Sequence, residues 1–111
     1  MKNNKVSNIE FINCTPHSIY LNDGRVYPPS GVLPRVQQNT TEFDENCVAI
    51  QSFGVVQGLP EPEEGTIFIV SAMVLAASSR KDLVAPATGH KECRRYEQGR
   101  ILSVPGFVKN A

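Results

Sequence analysis

The longest apolar run of the chain, Gly65 to Ser79, constrains its fold more than any other stretch. Thr66 to Val70 combines β-branched and aromatic residues without polar alternation, which is typical of a strand covered on both faces. Ser71 offers a hydroxyl that can cap a helix, and Ala72 to Ala77 are apolar and tolerated in helices. The run therefore predicts a central strand that leads directly into a short buried helix.

The clearest turn signal is the dipeptide Asp23-Gly24, which supplies the positive φ angles of a two-residue hairpin loop. A loop of this length pairs Leu21 with Val26 and Tyr20 with Tyr27. The alternation around it places His17, Ile19 and Leu21 on one face of the hairpin.

Shorter apolar stretches predict the remaining strands. These are Ile9 to Ile12, an edge strand around Val32 to Val36, Cys47 to Val56 with a bulge near Phe53 and Gly54, and Arg100 to Val104. Polar or proline-rich stretches predict loops at Gln37 to Asn46 and Gln57 to Gly65, and an exposed turn region at Arg80 to Gly89 in which Leu83 and Val84 are buried. The order of residues 90–99 stays open. Phe107 and Val108 are expected to pin the following residues to the core.

Residues 1–8 are polar and are expected to form a flexible tail ahead of a single globular domain at 9–111. The predicted class is α+β and mostly β. We expect a small antiparallel or mixed sheet, or a partial barrel, of five to seven strands with one short buried helix.

The charged residues are unevenly distributed along the chain, although the formal net charge is zero. Residues 1–65 carry four Lys or Arg against eight Asp or Glu, and residues 66–111 carry seven against three, so the halves are −4 and +4. A neutral total argues against a general nucleic-acid binder. The asymmetry predicts either solvated acidic and basic loops or a homodimer in which opposite halves meet.

Cys14, Cys47 and Cys93 form no CxxC pair, and reduced thiols in a cytoplasm are the expectation. No apolar run reaches the roughly 20 residues that span a bilayer, so no membrane partner is expected. A zinc site from the three cysteines and His90 would need scattered ligands, which is atypical of structural zinc. We therefore expect neither a metal nor a cofactor.

The candidate ligand-binding residues are hydroxyl, glycine, histidine and cationic positions next to predicted turns: Thr15, His17, Ser30, Gly31, Arg35, Arg80 and Lys81. Glycine admits backbone N–H groups close to a phosphate, and arginine supplies a planar fork of donors. Each position has a structural alternative. The His17 ring could lock its turn, Arg80 and Lys81 could complement a helix dipole, and Arg80 could pair with Asp82.

Several short motifs, taken together and in their order along the chain, are similar to those of a known protein family. They are Asn13 to His17, Pro28 to Gly31 with Arg35 and Val36, Gly58 to Pro60, Gly65 to Ser71, and Arg80 to Asp82 with Pro86 and Gly89. Their order resembles a family of small uncharacterised proteins of tailed phages and prophages. The family has a Thr-Pro-His start and a Gly-Thr-apolar-Ile-Val-Ser centre. The resemblance implies a role inside an infected bacterial cell and carries no activity with it.

No nucleophile stands beside a base and an orienting group in the sequence, so we expect a protein that is not an enzyme. The leading hypothesis is a phage accessory protein that counters a host defence by binding. It would sequester a nucleotide-like signal or block a defence protein. The alternatives are a small hydrolase or phosphoesterase that uses His17, and a structural protein of the virion or its assembly.

Overall fold

The computed structural model describes residues 9–111, and the tail predicted at residues 1–8 lies outside that range. Ten short strands and one helix follow one another in the described range: β1 (Glu10–Asn13), β2 (Ile19–Tyr20), β3 (Val26–Tyr27), β4 (Arg35–Thr40), β5 (Gln51–Gln57), β6 (Thr66–Ile69), α1 (Ala72–Ala77), β7 (Leu83–Pro86), β8 (Arg94–Arg95), β9 (Ile101–Ser103) and β10 (Phe107–Val108). This content confirms a mostly β, α+β protein. The predicted number of strands was too low, because several of the ribbon strands have only two or three residues.

Four strands form a mixed sheet in the order β1-β6-β7-β10. β6 pairs in parallel with both β1 and β7, whereas β10 pairs antiparallel with β7. The central position predicted for Thr66 to Val70 is therefore confirmed. The other strands form three separate two-stranded ribbons, β2-β3, β4-β5 and β8-β9. The sheets are small and open, so the predicted partial barrel is wrong. A barrel needs one continuous ladder that returns to its first strand.

Apolar side chains cover both faces of the central sheet, as the absence of alternation in β6 predicts. Phe68, Val70 and Leu83 pack on one face with Val74 and Leu75 of α1. The opposite face carries a second cluster, formed by Ile19, Leu21, Ile69, Val84 and Val104. Rings of Phe11, Tyr27 and Phe107 extend the second cluster with centroid separations of 5.6 to 5.9 Å. The sheet is thus the middle layer of three.

The helix α1 begins where the sequence predicts, since the Ser71 hydroxyl accepts a hydrogen bond from the Val74 N–H at 3.2 Å. Its burial differs from the prediction. Only Val74 and Leu75 are buried, and Met73 is 58% exposed. The helix packs on the sheet as predicted, but it is buried on one side only, because six residues complete fewer than two turns.

The Asp23-Gly24 hairpin forms, but with a different register. Ile19 pairs with Tyr27 and Tyr20 with Val26, and the Leu21 N–H donates to the Arg25 carbonyl. Only Gly24 has a positive φ, whereas a two-residue type I′ loop requires it at both central residues. The Asp23 carboxylate accepts from the Arg25 N–H and pairs with its guanidinium. The loop therefore has three residues, and the predicted pairs are wrong by one position.

Two stretches predicted as loops contain strands. Leu83 to Ala85 belong to β7 and are buried. The burial of Leu83 and Val84 agrees with the prediction, but a turn rather than a strand was expected there. Gln37 to Thr40 belong to β4, where cross-strand pairing with β5 sustains a strand of polar, exposed residues. The predicted bulge near Gly54 is confirmed. Val36 pairs with Val56 and Gln38 with Phe53, so β5 has one residue more than β4 at this point.

Candidate functional site

Asn13 organises the turn that follows β1. Its side chain is almost completely buried, and its amide donates to the carbonyls of His17 and Tyr27, both at 2.8 Å. Its Oδ1 accepts from the backbone N–H and the hydroxyl of Thr15 at 2.9 and 2.6 Å. The Asn13 main-chain carbonyl accepts from the Ser30 N–H at 2.9 Å. One buried amide thus joins β1, the turn at Thr15 to His17, and the end of β3.

Three predicted ligand residues lie around this amide. The Thr15 hydroxyl bonds to Asn13, and the Ser30 hydroxyl accepts from the Val32 N–H at 3.3 Å. Gly31, with φ of 95°, allows the turn between Ser30 and Val32. The structure therefore brings Thr15, Ser30 and Gly31 to the carboxyl end of β1. The hydroxyls of Thr15 and Ser30 hold the turn.

His17 belongs to the same turn, but its side chain is exposed and lines a cleft. Its main-chain carbonyl accepts the Asn13 amide, whereas its ring makes no hydrogen bond within residues 9–111. The hydrogen bond that locks the turn therefore comes from the backbone of His17. The imidazole is left available to a ligand.

We call this opening the β2–β9 cleft. It has a volume of about 900 Å³ and is lined by residues of β2, β8 and β9, of the end of β7, and of the turns next to these strands: His17, Ser18, Ile19, Tyr20, Pro86, Thr88, Arg94, Tyr96, Arg100, Ile101, Leu102, Ser103 and Val104. Its volume lies in the range of small-molecule sites. The lining combines aromatic rings, aliphatic side chains and cations.

Short main-chain hydrogen bonds fix the floor of the cleft. The Val104 N–H donates to the Tyr20 carbonyl at 2.9 Å, and the Asn22 N–H donates to the Val104 carbonyl at 2.7 Å. The side-chain Nδ2 of Asn22 also donates to the Glu92 carbonyl at 2.9 Å, and its Oδ1 accepts from the Ser103 hydroxyl. These contacts join β2 to β9 and to the turn before β8. The floor is therefore preorganised.

The cleft favours anions. Arg94 and Arg100 line it with His17, and none of the described lining residues is acidic. The Arg100 guanidinium lies 5.1 Å from the centroid of the Tyr96 ring, a cation–π contact that presents an aromatic face and a cation together. Arg95 differs, because it donates to the carbonyls of Gly99 and Thr88 and so supports the cleft wall. Fixed positive charge on an apolar wall attracts a negatively charged ligand.

Arg80 and Lys81 lie elsewhere, just before β7 and thus at the amino edge of the parallel strands. The Arg80 guanidinium binds both carboxylate oxygens of Asp82 at 3.0 and 2.7 Å and donates to the Pro60 carbonyl at 2.8 Å. These hydrogen bonds hold the pKa of Asp82 below its ordinary value and raise that of Arg80. Lys81 donates to the Ala111 carbonyl at 2.9 Å. The alternative in which Arg80 pairs with Asp82 is the one observed.

Arg35 begins β4, opposite Gln57, and its side chain is exposed. The neighbouring Val36 packs against the face of the sheet that carries α1, whereas the β2–β9 cleft rests on the other face. The seven predicted ligand residues therefore do not converge. They separate into the turn at the carboxyl end of β1, the edge before β7, and the start of β4.

None of the three cysteines is among the residues that line the β2–β9 cleft with His17. Cys14 packs in the cluster beneath α1, and burial raises the pKa of its thiol, which a hydrogen bond with Ser30 only partly offsets. Cys47 lies in an exposed turn, Cys93 is half-buried, and all three thiols are free. Within residues 9–111 no three His, Cys, Asp or Glu side chains come together as metal ligands. The arrangement is suited to binding.

Sequence reasoning missed Arg94, Tyr96 and Arg100 as site residues. They belong to residues 90–100, which show no hydrophobic periodicity. The Tyr96 and Arg100 pair was the available signal, because an aromatic ring and an arginine around a glycine turn indicate a hairpin that presents both groups. Their position beside β2 depends on contacts between residues far apart in the sequence, such as the hydrogen bond from Asn22 to Glu92, which are 70 residues apart.

Comparison of the chain with protein-family models finds no match, and neither do searches for similar curated proteins and similar solved structures. None of the helices in the described residues has the length and apolar character required to cross a bilayer. The geometry of the cleft is therefore the main guide to function.

Proposed function

We propose that this protein is a non-enzymatic phage accessory protein that counters a host defence by binding a nucleotide-like signal in the β2–β9 cleft. The observation that carries the proposal is the meeting of Arg94, Arg100 and His17 with the rings of Tyr20 and Tyr96 in one cleft. The resemblance to tailed-phage proteins supplies the biological setting.

The chemistry of the cleft matches the two parts of a nucleotide. Tyr20 and Tyr96 are 52% and 46% exposed, so each offers aromatic surface to a nucleobase, and in Tyr96 this surface is the part that Arg100 does not cover. Base–aromatic stacking is worth about 1–3 kcal/mol. Arg94 and Arg100 can each present two parallel N–H donors to a phosphate. Ile101 and Leu102 are each 40% exposed beside them and supply apolar surface.

Binding without turnover agrees with the groups present. An enzyme that cleaves phosphoesters needs an activated nucleophile or metal-bound water in addition to anion-binding groups. His17 has no hydrogen bond that would orient its ring, and the nearest cysteine in the sequence faces the other side of the sheet. A protein that sequesters a signal requires only the binding groups.

Native mass spectrometry of the purified protein with a panel of linear and cyclic nucleotides tests the proposal. We expect retained ligand, and we expect Arg100→Ala and Arg94→Ala each to weaken binding by about tenfold or more, since each removes a charged hydrogen-bond donor. Arg35→Ala is the matched control, because it removes an exposed arginine on the other side of the sheet. In an infection assay, a phage that carries either cleft variant should no longer be protected from the host defence.

Three outcomes would contradict the proposal. A protein that retains no nucleotide, with Arg94→Ala and Arg100→Ala fully protective, would favour a protein target. Nucleotide turnover that disappears in His17→Ala would favour a small hydrolase. Recovery of the protein in purified virus particles would favour a structural role.

A further inference from the structure

The β4-β5 ribbon has an outer edge that the rest of the described chain leaves open. Among residues 9–111, β4 pairs only with β5. Free strand edges are usually protected by lysine, proline or a bulge, because an open edge pairs readily with another chain. Beyond Pro34 and Arg35 at its base, the ribbon contains no lysine, arginine or proline, and β5 rather than β4 carries the extra residue at the bulge. β4 is therefore an unprotected edge.

The hydrogen-bond pattern shows which groups of β4 face outward. The Thr41 N–H donates to the Ile50 carbonyl, so Thr41 and Ile50 are a hydrogen-bonded pair of the antiparallel ladder. Such pairs alternate with pairs whose N–H and C=O groups point away from each other. Thr40 with Gln51, and Gln38 with Phe53, are therefore pairs of the second kind. Gln38 and Thr40 present their N–H and C=O groups on the open edge.

The charges of the ribbon select the direction of pairing. Glu42, Asp44 and Glu45 lie at the tip, and the ribbon carries no positive charge until Arg35 at its base. Arg35 is exposed and forms no ion pair within residues 9–111. Parallel pairing of two ribbons would bring six carboxylates together, which is unfavourable. Antiparallel pairing brings each acidic tip to the Arg35 of the other copy.

We propose that two copies of this chain pair β4 to β4, antiparallel about a two-fold axis near Gln38 and Asn39, to form a four-stranded sheet. Two-fold symmetry makes the edge complementary to itself, since each Gln38 and Thr40 donates to and accepts from the same edge of the other copy. The axis places Arg35 of each copy opposite residues 41–43 of the other. An isolated two-stranded ribbon is only marginally stable in water, and the pairing stabilises both.

Sedimentation velocity of the full chain over about 1 to 300 µM tests the proposal, since pairing through one short strand of each copy gives a small interface and hence a concentration-dependent dimer. Thr40→Pro removes an outward N–H of β4 without removing a hydrogen bond to β5, and we expect it to weaken the dimer at least tenfold. Gln51→Pro is the matched control. It removes an outward N–H at the cross-strand partner of Thr40, on the outer edge of β5, together with the exposed side chain that accepts from Gln38 Nε2 at 2.7 Å, and it should leave the dimer intact.

Charge variants test the direction of pairing without altering the backbone, and they decide the question if Thr40→Pro does not fold. Arg35→Glu and Glu42→Arg should each weaken the dimer by about tenfold, because the symmetry repeats each change twice. The double variant Arg35→Glu/Glu42→Arg should restore it. A wild-type protein that is monomeric at every concentration overturns the proposal. So does dissociation by Gln51→Pro, or a double variant no tighter than the single ones.

Discussion

The central sheet and the β4-β5 ribbon both contain β-branched apolar residues, but these residues are more deeply buried in the sheet than in the ribbon. β6 contains Ile69, which is fully buried, whereas β5 contains Val55, which is 67% exposed. Parallel neighbours on both sides and apolar layers on both faces determine the position of β6. The ribbon has one partner per strand, and only Val36 and Val56 at its base reach the core. Burial therefore decides the fold in the first region, and backbone pairing maintains the second.

The strongest test of this contrast places the same carboxylate in both regions. Ile69→Asp buries an unpaired charge in the middle layer, and its cost of several kcal/mol is comparable with the total stability of a small domain. We expect no soluble folded protein. Val55→Asp is the control on the ribbon and should change the melting temperature by no more than a few degrees. Soluble yield and circular dichroism melts measure both. A normally melting Ile69→Asp protein would refute the central placement of β6.

A second test removes the buried amide that joins the sheet to the cleft turn. Asn13→Ala leaves the carbonyls of His17 and Tyr27 without their donor, and we expect a loss of about 2–3 kcal/mol in the free energy of unfolding. Asn39→Ala in β4 is the control, because that side chain is exposed, and its effect should stay within about 0.5 kcal/mol. Urea denaturation measures both changes. Equal effects would show that Asn13 is no more important to stability than a ribbon residue.

The smallest expected effect concerns the ion pair at the edge before β7. Asp82→Asn removes a bidentate pair whose side chains are 25% and 21% exposed, and we expect a loss of about 1–2 kcal/mol at neutral pH. The pKa of Asp82 is lowered on folding from its ordinary value of 3.8, so the contribution is fully present above that pH. It is lost as the pH falls through the lowered pKa.

Melting temperatures of wild type and Asp82→Asn across pH 2 to 7 should therefore differ at neutral pH and approach each other only at the acidic end of the range, below the ordinary carboxyl pKa. Asp23→Asn is the control. It alters a pair whose side chains are 65% and 53% exposed, and it keeps an acceptor for the Arg25 N–H. A gap between wild type and Asp82→Asn that does not depend on pH would show that the carboxylate charge is not the source of the stability.

The sequence predicted the elements whose stability is local or comes from continuous burial. Thr66 to Val70 and the Ser71 cap are examples, since an unbroken apolar run and a capping hydroxyl act within a few residues. β7 was missed because three buried residues are too few to show a period. Its strand conformation depends on the parallel pairing with β6. β4 was missed because Gln37 to Thr40 are polar, and only the facing strand β5 makes them extended.

The same distinction between local signals and long-range contacts applies to the candidate site. His17 was proposed because a histidine beside Thr15 and Pro16 marks a constrained turn, and it is among the residues that line the cleft. Arg80 looked like an anion ligand, but its carboxylate partner Asp82 lies two residues away and occupies its guanidinium. Arg94 and Arg100 gained their position from the contact between β2 and β9. No local pattern encodes that contact.

The middle layer of the protein also separates the two proposed binding surfaces. The ribbon is anchored on the face that carries α1, through Val36 and Val56, and the cleft rests on Ile19 and Val104 of the other face. Thermodynamic coupling between two sites requires an element whose equilibrium both of them bias. A close-packed sheet strand such as β6, held on both edges, is poorly suited to that role. Occupancy of the cleft and association of the ribbons should therefore be independent equilibria, so that a dimer carries two equivalent sites without cooperativity.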